Sequence, residues 1–284
     1  MQTEDLPWKE GKKAPHISRR RYIQWQGEEP SEPTYTIVLT APSNKFVDIR
    51  ILKPDDQDAF NRLSNKKQKT NLWLDWAFGG QMTSSGVEHS SKKPTQCEWL
   101  HWVDNRVGYN EKAPVDAGIT YQQEEKGLSL EHGSMVNPAT GEMTNYQEMW
   151  EDIPMACVEE YNKWCVTASL DNPDLEAKGM IIRLAQYIQA VLRVGETFAA
   201  SIWMWEPDSH HHASLETADA KLWSDVCGRA TASGRWKEVF CAGPYAIDCE
   251  AFMQPQTLEV GGELEADFGY FRIDGVWQWP RSLS

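Results

Sequence analysis

Residues 45–52 read KFVDIRIL, and residues 34–41 just before them read TYTIVLTA. In an extended chain Phe46, Asp48 and Arg50 share one face, and Val47, Ile49 and Ile51 share the other. A period of two built on β-branched residues marks a half-buried strand. The two runs therefore predict neighbouring strands, and they set the reading of the rest of the chain.

Upstream, Tyr22, Ile23 and Trp25 predict a strand over 22–29, closed by the proline-broken loop EEPSEPT at 28–34. Downstream, LWLDWAFGG (72–80) and CEWLHWVDNR (97–106) read as aromatic strands. GLSLEHGSMVNPATGEMTNYQEMWEDI (127–153) reads as strand, turn at NPATG, strand. The second half repeats the style with KWCVTASLD (163–171), FAASIWMWE (198–206), WKEVFCA (236–242), QTLEVGGELEA (256–266) and YFRIDGVWQW (270–279). GMIIRLAQYIQAVLRVG (179–195) is long enough for a helix, but its β-branched residues favour a strand. The polar stretch after Lys53 has room for a short surface helix, as does the polar segment 207–235.

Landmarks recur at a near-constant spacing. Glu131 to Glu259 is 128 residues, Trp150 to Trp277 is 127, Trp76 to Trp205 is 129 and Arg50 to Arg183 is 133. Their shared order predicts an internal duplication. The expected organisation is a flexible basic arm over 1–21, a β-barrel domain over 22–155 and a second one over 156–284. Short strands with polar turns and little helix suit an up-and-down barrel or a sandwich, an all-β class.

The 284 residues carry a formal net charge of −14 and 14 tryptophans. That charge argues against a nucleic-acid partner and against an anionic membrane surface. No apolar run is long enough to cross a bilayer, and the charged N-terminus does not read as a secretory signal. A cytoplasmic location is expected, with a nuclear one compatible with the basic arm. Six cysteines include no C-x-x-C pair, so free thiols are expected. The tryptophans are expected to fill the barrels, or in part to line a pocket for a flat apolar ligand.

IQWQGEEPSEPTYTIVLTAPSNKFVDIRILKP, LDWAFGG, HGSMVNPATGEMTNYQEMW and IIRLAQYIQAVLRVG together resemble the fungal HRI proteins over residues 22–280. That family is named for interaction with a casein-kinase-I-type protein kinase. The resemblance implies two calycin-like (lipocalin-like) barrels in tandem and a protein kinase or another protein as partner. It implies no catalytic motif.

The residues themselves carry no phosphate-binding glycine loop and no nucleophile elbow. No cofactor is expected. His210-His211-His212 points to alternate sides of an extended chain and suits a solvated loop better than a metal site, so no metal is expected. The residues expected to line a ligand site are Arg50, Asp48, Trp73, Trp76, Trp99, Arg183, Tyr187, Gln189, Trp203 and Trp205. An Arg inside a barrel must pair or face a ligand. Asp48 shares the face of Arg50, and alternation places Tyr187 and Gln189 on the face of Arg183. On the strand at 97–106, Glu98, Leu100, Trp102 and Asp104 share one face and Trp99 and His101 the other. His101, Arg183 and Tyr187 are the candidates for catalysis. Two functions compete: a binding protein for a small hydrophobic molecule or a protein partner, and a cofactor-free cyclase or isomerase acting on an apolar metabolite.

Overall fold

KFVDIRIL is the third strand of a closed barrel. The computed structural model describes residues 14–53, 73–85, 94–158, 162–205, 229–230 and 236–280. Its first eight strands are β1 (His16–Trp25), β2 (Thr34–Thr40), β3 (Lys45–Leu52), β4 (Leu74–Ser85), β5 (Thr95–Asp104), β6 (Asp116–Gln122), β7 (Leu128–Val136) and β8 (Met143–Ile153). Each pairs antiparallel with the next, and β1 returns to β8 from Ile17↔Ile153 to Trp25↔Tyr146, which closes the barrel.

A second sheet follows. Its strands are β9 (Asn162–Asn172), β10 (Ala177–Leu184), β11 (Tyr187–Val194), β12 (Thr197–Trp205), β13 (Arg229–Ala230), β14 (Trp236–Ala242), β15 (Glu263–Ala266) and β16 (Gly269–Pro280). They lie in the order β13-β14-β12-β11-β10-β9-β16-β15. In each sheet the first strand in the chain pairs with the last, β1 with β8 and β9 with β16. Helix among the described residues is limited to 3₁₀ turns at Pro173–Leu175, Glu250–Met253 and Pro255–Thr257, with Trp73 also in 3₁₀ conformation just before β4.

The apolar face of β3 looks out of the barrel. Val47, Ile49 and Ile51, with Leu39, Leu74 and Ala77 beside them, pack on Met180, Ile182, Leu184, Tyr187 and Val191 of the second sheet. Burying both faces is what makes the burial of β3 nearly continuous from Phe46 to Ile51. The contact is stitched by Gln189 Nε2 donating to the Ile37 carbonyl at 2.9 Å and by Arg193 Nη2 donating to the Asp104 carbonyl at 2.8 Å.

Several expectations need correction. The arm does not extend to residue 21, because β1 begins at His16 and Arg20 is buried inside the barrel. The run 179–195 is neither one strand nor a helix. It is a hairpin, with Ala185 at φ 50° and Leu184 paired to Tyr187. Paired residues share a face, so Arg183 sides with Ile188, while Tyr187 and Gln189 turn to the barrel. Arg50 and Arg183 are also not equivalent in chain order: Arg50 is on the third strand of its sheet and Arg183 on the second. The run 256–266 is a strand only from Glu263, and β6 was not read from the sequence at all. The segment before β4, most of 207–235 with its three histidines, and Cys227 lie outside the described residues. Among the described residues no disulfide joins cysteines 97, 157, 165, 241 and 249.

A bulge changes the face of Asp104. Gly79 pairs with Val103 but Gly80 with His101, so Trp102 is skipped and Asp104 joins His101 on the inner face rather than opposing it. The bulge needs glycine at 80, where an added Cβ would lie 1.9 Å from the Leu100 carbonyl oxygen. Gly80→Ala should therefore lower unfolding free energy by about 1–3 kcal/mol, measured by chemical denaturation; an unchanged midpoint would show that β5 can shift without cost.

Candidate functional site

The barrel interior is built from charged and aromatic side chains. Arg20 on β1 donates to Glu32 at 2.8 Å and to Thr34 at 2.8 Å, and its Nη1 contacts Glu148 on β8. Arg50 donates twice to Asp48 Oδ2, at 3.0 and 2.8 Å, and its Nη1 lies 3.6 Å from the same Glu148 oxygen. Its guanidinium sits 4.9 Å over the Trp76 ring, a cation–π contact. His101 stacks on Phe78 at 3.9 Å and lies between Asp104 (2.7 Å) and Asp116 (3.2 Å). Glu131 accepts from Tyr146 at 3.0 Å and from the Trp150 indole at 3.1 Å. The Trp76 indole donates to Asp104 at 3.0 Å. Side chains of Arg20, Glu148 and His101 are 3%, 2% and 1% exposed, so the barrel is filled by its own ion pairs.

The inner face of the second sheet differs. Arg183, Ile188, Trp203 and Glu238 lie side by side across β10, β11, β12 and β14. Ser201, Trp203 and Trp205 alternate along β12 and share that face. Trp205 meets Trp236 edge to face at 5.6 Å. The segment after β14 covers the face with Ile247, Cys249 and Phe252. Arg183 Nη1 donates to the Phe252 carbonyl at 2.8 Å, and its guanidinium lies 5.2 Å over Trp236. Trp203 Nε1 and Ser201 Oγ are buried with no hydrogen-bond partner among the described residues.

The family model described as Protein HRI1 matches residues 16–273. This chain belongs to that family. The crystal structure of an uncharacterized protein, YLR301w, from Saccharomyces cerevisiae is similar to the HRI1-family chain at a TM-score of 0.60 and 13% identity. The likeness covers 92% of this chain and 98% of that one, and at such identity it speaks for the fold alone. A comparison with curated proteins finds no match.

In this HRI1-family chain the expected site residues separate into three places. Asp48, Arg50, Trp76, Trp99 and His101 meet inside the barrel. Trp73, Tyr187 and Gln189 lie between barrel and sheet. Arg183, Trp203 and Trp205 lie on the inner face of the second sheet. His101, Arg183 and Tyr187 therefore cannot act on one substrate together. Sequence reasoning missed Arg20, Glu131, Tyr146 and Glu148. Arg20 hides in a triple-arginine run that reads as surface, whereas Tyr146, Glu148 and Trp150 alternate and could have been recognised. Among the described residues no group of three or more His, Cys, Asp or Glu is placed to hold a metal ion. No helix among them is long and apolar enough to cross a membrane.

Burial sets the electrostatics of the barrel. It pushes the Glu131 carboxyl well above the carboxylate range, helped by the charges of Glu148 and Asp116. Asp48 is also raised by burial, against the pull of Arg50. For His101 burial works the other way, but hydrogen bonds to Asp104 and Asp116 outweigh it and hold the imidazole above its ordinary value. All three groups bind protons more tightly in the folded chain. Each therefore adds stability that is fully present below its unfolded pKa and is lost as pH rises through its folded one. The unfolded values are about 4 for the carboxyls and 6.5 for the imidazole. The denaturation midpoint should thus fall from pH 5.5 to pH 8. Glu131→Gln should flatten that slope; an equal slope in the variant, or a rise with pH, would contradict the assignment.

Proposed function

We propose that this chain is a binding protein for a small, largely apolar molecule, held on the inner face of its second sheet. The observation that carries the reading is the indole of Trp203. In the barrel the indoles of Trp76 and Trp150 each donate to a carboxylate of the same interior. Trp203 Nε1 is buried without such a partner among the described residues. A buried indole N–H left unmade costs about 1–3 kcal/mol, and a bound molecule with an acceptor would remove that cost. The surroundings suit one: Ile181, Ile188, Trp205, Trp236 and Phe252 are apolar, and Ala168, Ala190 and Ala199 keep the floor low.

The reading extends to the plan of the molecule. First-to-last strand pairing in both sheets supports a duplicated, calycin-like architecture, in which one copy is filled and the other is given to binding. The filled barrel would then act as a platform. A catalytic role for the same face gains no support, because His101 and Tyr187 sit elsewhere.

The test is titration of the full chain with N-phenyl-1-naphthylamine, followed by its fluorescence. One saturable site is expected. Ala190→Leu, which fills the floor between Ile181 and Ser201, should weaken binding at least tenfold. Asp75→Asn, on the barrel surface, should leave it unchanged. Absence of saturable binding, or equal binding by Ala190→Leu, would overturn the reading.

A further inference from the structure

The polar groups that line this face restrict what can bind there. Three observations bear on it, and the inference rests on the binding role proposed above. Trp203 is 9% exposed and stands on the inner face of β12, and its indole can only donate. Ser201, 2% exposed, is two residues before it on the same face, and its hydroxyl too has no hydrogen-bond partner among the described residues. The Cys249 thiol lies beside Ser201, is pushed up by burial, and is a weak partner for an oxygen. The third observation is charge. Arg183, wholly buried, stands in the same row beyond Ile188, and the buried Glu238 stands directly beside Trp203 on its other side, so the charges of the row are of opposite sign and balance. A neutral molecule suits a row whose charges balance, and an ammonium facing the indole would meet a donor with no lone pair to offer. An oxygen acceptor would meet the indole donor.

We infer that the site takes a flat, apolar polycyclic ketone, whose carbonyl oxygen accepts from Trp203 Nε1 and whose neighbouring oxygen, where present, meets Ser201 Oγ. Two residues along a strand span about 6.6 Å. The two side chains can therefore read oxygens on opposite sides of one ring, or on adjacent rings. Flatness follows from the walls. Trp205 and Trp236 stand at 71° to each other with centroids 5.6 Å apart, so aromatic faces and edges wall the site beside Trp203. Trp203 and Ser201 select by chemistry, while the alanines of the floor select by thickness.

The test compares 9-fluorenone with fluorene, which share a flat skeleton and differ by one carbonyl. Both are titrated into the full chain. Wild type should bind fluorenone about fivefold or more tighter than fluorene. Trp203→Phe keeps an aromatic ring but removes the donor; it should erase that preference while leaving fluorene affinity within about twofold. On the unmodified chain, the Trp203 indole N–H proton resonance should move downfield with fluorenone and not with fluorene, which needs no variant to fold. If fluorene binds as tightly as fluorenone, or the preference survives Trp203→Phe, this inference falls and the broader binding role stands. If neither compound binds and N-phenyl-1-naphthylamine also fails, both fall.

Discussion

Glu148 sits between two arginines, in contact with Arg20 and 3.6 Å from Arg50, and the rest of the barrel is arranged around that contact. The three side chains come from β1, β3 and β8, so their pairing ties strands far apart in the sequence across the barrel interior. Such a cluster is costly to desolvate, and it is tolerable only when every member is paired. The remaining inward groups serve that need. Asp48 takes the rest of Arg50, Glu32 takes the rest of Arg20, and Trp76 and Phe78 lie against the Arg50 guanidinium. With charge in the middle, the apolar sides of β2, β3 and β4 must find cover outside. They find it on the second sheet, which is how the two sheets become one molecule.

This inversion explains what the sequence could and could not tell. The alternation in KFVDIRIL was legible, and so was the pairing of Asp48 with Arg50 two residues apart. Their inward placing came from the cost of leaving an arginine unpaired and not from the alternation, because a period of two is blind to whether a barrel is filled by apolar or ionic groups. His101 could be noticed, but its link to Asp104 depends on a bulge at Trp102 that strict alternation forbids. The hairpin within 179–195 was hidden for a similar reason: Ala185 takes a left-handed turn with no glycine to announce it. One missed turn moved Tyr187 and Gln189 to the wrong face. The family, by contrast, was legible from long runs of residues, since it needs no geometry.

The two sheets treat the same residue types differently. In the barrel every inward indole with a described partner meets a carboxylate, and the carboxylates that burial raises are held by donors around them. On the second sheet the Trp203 indole and the Ser201 hydroxyl are buried without such partners, although Glu238 stands beside Trp203 in its row. The barrel has an unpaired buried oxygen of its own, Asp48 Oδ1, but it lies within a network of ion pairs, whereas an unpaired donor in an apolar setting is where an added molecule gains most. On the binding role proposed above, that contrast would leave support to one sheet and recognition to the other.

Amide hydrogen exchange of the full chain, with and without saturating 9-fluorenone, tests this division most directly. The account predicts added protection in β10 to β12 and in the covering residues 243–258, with β1 to β8 unchanged. Protection gained mainly inside the barrel strands, with none in β12, would contradict it.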